Sequence, residues 1–130
     1  MLLFGHKFIP SESLYHIQNI DSIKNTPPAS VIYIEFSEDN LDIINHANDN
    51  QISFALNVQN ITQLIYASAL GAKYILVSQE MAKTAQNIAE NYLFDAKIVV
   101  HISDNEEIEA LALLGCDGAI FSNAIIKTNS

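Results

Sequence analysis

Short apolar runs alternate with amphipathic segments along almost the whole chain. Most of the apolar runs are hydrophobic on both faces, as strands are in parallel sheets covered by helices. The runs rich in β-branched and aromatic residues are predicted strands, at residues 2–4, 31–36, 53–58, 74–78, 97–102 and 118–122. The segments with a 3.6-residue period are predicted helices, at residues 40–48, 61–70, 79–93 and 105–114, with one more helix around 14–23.

The order of these elements predicts one α/β domain spanning residues 1–130, with a parallel sheet of five to six strands. Ser78 and Asp104 are predicted helix N-caps, and Gly71 and Gly115 are predicted to end two helices. Two architectures fit this pattern. One is a flavodoxin-like sheet, and the other is an open half-barrel resembling a truncated TIM barrel.

An internal repeat of about 44 residues runs through the second half of the chain. A shift by this length places Asn57 on His101, Ser78 on Ser122, and residues 70–71 on residues 114–115. Both copies read as strand, polar turn, helix, glycine, strand and serine. The repeat predicts two stacked βαβ units, each with a polar residue at the carboxyl end of its strand.

Charge and composition exclude several classes of partner. Six lysines stand against fifteen acids, the formal net charge is −9, and the sequence contains no arginine. Nucleic-acid binding depends on neutralising phosphates with basic side chains, so we expect no nucleic-acid partner. No segment approaches the roughly 20 apolar residues of a membrane span, so we expect no membrane partner. A lone cysteine, Cys116, with no recognisable export signal favours the cytoplasm.

Ligands of parallel α/β folds bind at the carboxyl ends of the strands, which directs attention to the polar residues there. Glu35 ends a buried strand, where a partly buried carboxylate can serve as a general base. His101 ends another strand, where an imidazole can act as a base or a ligand. Both also have a structural interpretation, as a solvated carboxylate and a hydrogen-bonded core histidine. The candidate substrate-binding residues at this edge are Asn57, Ser78, Ser122 and Asn123.

The sequence offers no pattern for a metal or a nucleotide cofactor. His6, His16 and His46 are scattered without metal-ligand spacing, and the single cysteine adds none. Four glycines are too few for a dinucleotide fingerprint or a P-loop. We therefore expect neither metal nor cofactor. The serines at 78 and 122 lack a nucleophile elbow, which makes helix capping their more plausible role.

Residues 53–123 resemble the central part of indole-3-glycerol phosphate synthases, a family of (β/α)8 barrels. The segments that carry the resemblance are residues 63–76, residues 99–101 followed by 105–109, and residues 113–115 continuing to 122–123. The resemblance implies a barrel-like architecture. Where that family has its catalytic lysine this sequence has Ala55 or Leu56, and where the family has a catalytic glutamate it has Val99. If the chain ends at Ser130, the last two units of such a barrel are also absent, so the implied barrel is truncated.

These observations favour a non-catalytic domain that assembles or weakly binds a small metabolite. The alternative is a lyase or isomerase acting on a small phosphorylated or carbonyl metabolite, with Glu35 and His101 as acid and base. We also expect a homodimer, because a half-barrel leaves its edges unpaired and because Ile125 and Ile126 have no obvious cover. If residues 1–8 and 124–127 both fold onto the sheet, that reason for a dimer disappears.

Overall fold

The computed structural model describes residues 1–128, which form eight strands and four α-helices. The strands make one parallel sheet in the order β1-β7-β6-β5-β4-β3-β2-β8. The predicted parallel α/β fold is confirmed, but the predicted strand count of five to six is too low. The strands are β1 Leu2–Phe4, β2 Leu14–His16, β3 Val31–Glu35, β4 Phe54–Asn57, β5 Tyr74–Val77, β6 Lys97–Ile102, β7 Gly118–Phe121 and β8 Ile125–Lys127.

The four helices connect successive strands from β3 to β7 and pack on one face of the sheet. They are α1 Leu41–Asp49, α2 Ile61–Ala69, α3 Gln79–Asn91 and α4 Glu106–Leu113. Buried residues of all four helices belong to the larger core, which lies between the helices and the sheet. The connection from β3 to β7 is therefore a series of βαβ units, as the sequence pattern predicts.

A second, smaller core lies on the opposite face and contains no residue from any of the four α-helices. Its members come from all strands except β8 and from Ala124 in the turn before β8, and Ile125 of β8 packs at its margin. Phe4 of β1 and Tyr74 of β5 meet there edge to face, with ring centroids 5.2 Å apart, although two strands separate β1 from β5 in the sheet. Such a contact requires a curled sheet. The half-barrel is therefore the architecture observed, and a flavodoxin-like sheet with helices on both faces is not.

Both terminal segments belong to the sheet. Residues 2–4 form β1 and pair with β7, and residues 125–127 form β8 and pair with β2. The edges thus approach each other, since only residues 122–124 separate β7, the partner of the edge strand β1, from β8 at the other edge. Neither terminal segment is therefore an unpaired tail, although Phe8 and Ile126 are still 75% and 39% exposed, and the oligomeric state stays a prediction.

The helix predicted around residues 14–23 is wrong. Residues 14–16 are extended and pair with β3 and β8. Leu14 packs into the smaller core on the concave face, here called the inner core, and pairing on both sides satisfies the backbone groups of this segment. A 3₁₀ helix, Ile20–Asn25, follows. Asn19 caps it by accepting a hydrogen bond from the Ser22 backbone N–H at 2.9 Å. The segment with helical periodicity therefore forms a short strand followed by a short 3₁₀ helix.

Of the predicted N-caps, Ser78 is confirmed in position only, whereas Asp104 and Ser122 are wrong. Ser78 stands at the N-cap position of α3, yet its side chain makes no capping hydrogen bond. Ser122 is the first residue of a 3₁₀ turn and does not cap it. The N-cap position of α4 is held by Asn105 rather than Asp104. The start of α4 is tied down instead by Glu107, which accepts a hydrogen bond from the Ser103 backbone N–H at 2.9 Å. Within residues 1–128, no helix is long and apolar enough to span a membrane.

Candidate functional site

The candidate residues lie along the carboxyl edge of the sheet because all eight strands run in the same direction. Glu35 and Asn57 are the last residues of β3 and β4, and His101 is the next-to-last residue of β6. Alternate residues of a strand share a face. Since Tyr33, Ala55 and Val99 belong to the inner core, the residues two positions later face the same concave side.

A chain of hydrogen bonds joins these side chains across four strands, and we call Tyr33, Glu35, Asn57 and His101 the polar chain. The Tyr33 hydroxyl donates to Glu35 Oε1 at 2.7 Å, and Asn57 Nδ2 donates to Glu35 Oε2 at 2.9 Å. His101 Nε2 lies 2.7 Å from Asn57 Oδ1. The two candidates for acid and base, Glu35 and His101, are thus connected through one amide.

The direction of each hydrogen bond follows from the chemistry of Glu35. An ionised carboxylate only accepts hydrogen bonds, so the Asn57 amide must turn its NH₂ group to Glu35. That orientation leaves Asn57 Oδ1, which also only accepts, facing His101. His101 must therefore carry its proton on Nε2. The polar chain fixes one tautomer of the imidazole.

The electrostatic surroundings keep this imidazole neutral near pH 7. Partial burial lowers the pKa of His101 because it disfavours the charged ring, and the negative charge of Glu35 offsets part of that effect. At the other end of the chain, burial raises the pKa of Tyr33 far above its usual range, and the hydrogen bond to Glu35 and the Glu35 charge add to the shift. Tyr33 is therefore a permanent donor to Glu35.

The second ring nitrogen of His101 is open. Among residues 1–128, no side chain or backbone group forms a hydrogen bond with His101 Nδ1. No buried side-chain nitrogen or oxygen in this part of the chain lacks a partner, so Nδ1 must reach solvent. The imidazole of His101 thus has one unshared lone pair, on Nδ1, at the carboxyl edge of the sheet. The hydrogen bond from Nε2 to Asn57 fixes the orientation of the ring.

Two contributors to this site were missed in the sequence analysis. Tyr33 lies two residues before Glu35 and therefore on the same strand face, a spacing that could have identified it. His16 packs edge-on against Tyr33, with ring centroids 4.9 Å apart and an interplanar angle of 81°. His16 was missed because its segment was predicted to be helical, and no simple sequence signal corrects that error.

The other candidates share the edge of the sheet but not the polar chain. Ser78 and Ser122 follow β5 and β7 directly, and both are exposed. Within residues 1–128 their hydroxyl groups make no hydrogen bond. Asn123 instead donates a hydrogen bond to the carbonyl oxygen of Gly5, which follows β1. The two serine hydroxyl groups are thus open to a ligand, and none of these three side chains bonds to His101.

The structure shows a curled parallel sheet and nothing specific to indole-3-glycerol phosphate synthases. Ala55, Leu56 and Val99, at the positions of that family's catalytic lysine and glutamate, are all fully buried apolar residues. Within residues 1–128, no group of three or more histidine, cysteine, aspartate or glutamate residues is arranged to hold a metal ion.

Comparison with known proteins identifies no relative of this chain among protein families or curated proteins. No protein-family model matches the chain. No curated protein matches it either.

Proposed function

We propose that the chain binds a small metabolite at the carboxyl edge of its sheet, with His101 Nδ1 accepting a hydrogen bond from the ligand. The observation that carries this proposal is the polar chain. Tyr33, Glu35 and Asn57 hold the imidazole of His101 in one orientation, and Nδ1 of that ring remains free. Within residues 1–128 no protein group bonds to that nitrogen and it reaches solvent, so a ligand can bond to it by displacing water. The carboxyl edge is also where parallel α/β sheets bind ligands.

Glu35 supports the site from behind. Both of its carboxylate oxygens accept hydrogen bonds from within the protein. A ligand would therefore meet His101 and the exposed hydroxyl groups of Ser78 and Ser122 rather than the carboxylate. This arrangement suits a neutral hydroxyl or carbonyl compound, or a phosphorylated one whose charged group extends away from Glu35.

An NMR titration tests the proposal. Dihydroxyacetone phosphate, glycerol 3-phosphate and ribose are added separately to ¹⁵N-labelled protein, and we expect shifts centred on the amides of Glu35, Asn57 and His101. In a His101→Gln variant, the new amide can still donate to Asn57 but the free ring nitrogen is gone, so the shifts should weaken strongly. Shifts that persist in that variant, or that never involve these amides, would contradict the proposal.

The second candidate is an isomerase or lyase that uses His101 as a general base, and the neutral imidazole with an open nitrogen favours it. The proton on a carbon next to a carbonyl would pass to Nδ1, while the electron pair of that C–H bond moves into an enolate. The imidazolium formed would be stabilised by the Glu35 charge. Transfer of the neighbouring hydroxyl proton to the enolate oxygen, and return of the first proton from Nδ1 to the former carbonyl carbon, would complete an isomerisation.

Deuterium exchange distinguishes catalysis from binding alone. Dihydroxyacetone phosphate is incubated with the protein in D₂O, and proton NMR follows loss of the signals next to the carbonyl. Catalysis requires exchange above the protein-free rate that disappears in His101→Gln. Exchange that is equal with and without protein would leave binding as the function and exclude this substrate's isomerisation.

A further inference from the structure

A cavity of about 460 Å³ opens at the amino edge of the sheet, on the side opposite the polar chain. Its walls are the loop before β3, residues 26–30, and the loop before β4, residues 50–53, with Ile23 at one side. The two loops lie next to each other because β3 and β4 are neighbours in the sheet. The volume falls in the usual range of small-molecule sites.

The walls of this cavity carry no ionisable side chain, although the chain as a whole has a net charge of −9. Ile23, Pro27 and Pro28 provide apolar surface, whereas Gln51 and Ser53 provide polar groups. An ion entering the cavity would lose water without gaining a charged partner. The lining therefore suits an uncharged ligand that is partly apolar.

Gln51 supplies an unused donor and an unused acceptor to this cavity. Within residues 1–128 its side-chain amide makes no hydrogen bond. Two neighbouring donor groups are already engaged, since Asn50 Nδ2 donates to the His46 carbonyl oxygen at 2.9 Å and Ser30 Oγ donates to the Pro27 carbonyl oxygen at 2.7 Å. Within residues 1–128, Gln51 is therefore the residue of this lining whose side-chain amide has both its NH₂ group and its oxygen free for a ligand.

Backbone strain is concentrated at the same cavity. Ala29 and Gln51, which both line it, have left-handed backbone conformations with φ of 62° and 56°. A side chain in this region costs about 1–2 kcal/mol. Gly71 and Gly115 occupy the position after α2 and α4 that Gln51 occupies after α1, so glycine would serve there without this cost.

We infer that this cavity binds a small uncharged amide, whose N–H and C=O groups pair with the free amide of Gln51 while its ring or alkyl part rests on Pro27 and Pro28. A glutamine side chain offers both a donor and an acceptor, which matches the two groups of an amide. The inference is independent of the function proposed for the carboxyl edge.

The test is an NMR titration of ¹⁵N-labelled protein with two pairs of probes. Nicotinamide and uracil are uncharged amides, and nicotinate and orotate are their carboxylate-bearing counterparts. We expect the neutral probes to shift the amides of Ala29, Ser30, Gln51 and Ile52 with dissociation constants on the order of 1 mM, a typical strength for fragments of this size. The carboxylates should shift them at least about tenfold more weakly, as about 1.4 kcal/mol of lost affinity implies.

The decisive variant is Gln51→Gly, which removes the amide and also relieves the left-handed strain, so that folding should not suffer. We expect binding of nicotinamide and uracil to be lost. The matched control is Leu93→Gly, which makes the same change at the end of α3 and should leave binding intact. The inference is overturned if neither neutral probe shifts these amides, if the carboxylates bind equally well, or if Gln51→Gly binds like the unmodified protein.

Discussion

At the scale of single residues, all four α-helices end in the same backbone conformation. The residue after each helix C-cap is left-handed, and the amide after it bonds back to the last turn, as Phe94 does to Ala89 at 2.9 Å. Glycine fills this position after α2 and α4, as the sequence predicted for Gly71 and Gly115. Gln51 and Leu93 fill it after α1 and α3, where each side chain adds strain.

Two opposite substitutions test that account. Leu93 is 85% exposed, so Leu93→Gly should sacrifice little burial and raise the free energy of unfolding by about 0.5–1 kcal/mol, the relieved strain less the added chain entropy. Gly115→Ala should lower it by a similar amount, since the added Cβ meets no atom within 4 Å and only backbone strain changes. Urea unfolding at equilibrium measures both. Equal effects of the same sign would refute the explanation.

The shifted pKa of His101 gives a pH dependence of stability. Its pKa is lower in the folded state than the ordinary value of 6.5, so between these two values the unfolded chain binds more protons. His101 therefore stabilises the fold fully above pH 6.5, and that contribution is lost as the pH falls through the folded-state pKa. We expect unfolding curves to show a steeper loss of stability on acidification below pH 6.5 than in His101→Gln.

The difference between the two proteins isolates this effect from that of the carboxylates. Its slope cannot exceed about 1.4 kcal/mol per pH unit for a single proton, and solvent screening of a partly exposed ring reduces it. A His101→Gln variant that tracks the unmodified protein from pH 7 to pH 5 would contradict the assigned shift in the His101 pKa.

At the scale of elements, the attachment of β1 depends on a glycine in β7. A Cβ at Gly118 would lie 3.0 Å from both the Cβ and the carbonyl oxygen of Leu2, which is closer than van der Waals contact allows. Gly118→Ala should therefore displace β1 and lower stability by about 1–3 kcal/mol. Hydrogen exchange should show lost protection at Leu3 and Phe4 while Val99 and Val100 of β6 stay protected. Uniform loss across both strands would exclude a local effect.

Most of the strands and helices could be predicted because their residues carry strong local signals. Apolar β-branched runs such as residues 97–102 appear as strands with the same bounds, and glycines mark the ends of α2 and α4. The strands β2 and β8 could not be predicted so directly. Each has only three residues, and each is extended because partners distant in sequence bond to it, as Leu14 pairs with both Val31 and Ile125.

The position of the candidate site could be predicted from the sequence, but the hydrogen bonds among its residues could not. Strand polarity alone places Glu35, Asn57 and His101 at one edge of the sheet. The repeat aligns Asn57 with His101, and these two equivalent residues bond to each other in the structure. That contact spans β5 and depends on the curl of the sheet, which hydrophobic patterns do not encode. For the same reason, the commitment of both Glu35 oxygens to Tyr33 and Asn57 was not foreseen.

At the scale of the whole molecule, self-association stays a prediction but rests on different residues. The terminal segments are strands, whereas Tyr92 and Leu113, where α3 and α4 end, are 74% and 83% exposed. Burying such side chains favours association. We expect sedimentation at micromolar concentration to show a homodimer, weakened in a Leu113→Ser variant. A single 14.4 kDa species would contradict this expectation.

The central claim is that the polar chain holds His101 as a neutral imidazole with its proton on Nε2 and a free lone pair on Nδ1. Long-range ¹H–¹⁵N correlation spectra of the imidazole report both nitrogens directly. At pH 7 we expect the His101 spectrum of a neutral ring protonated on Nε2, with Nδ1 unprotonated. A proton on Nδ1, or a ring that is already charged at that pH, would contradict the account.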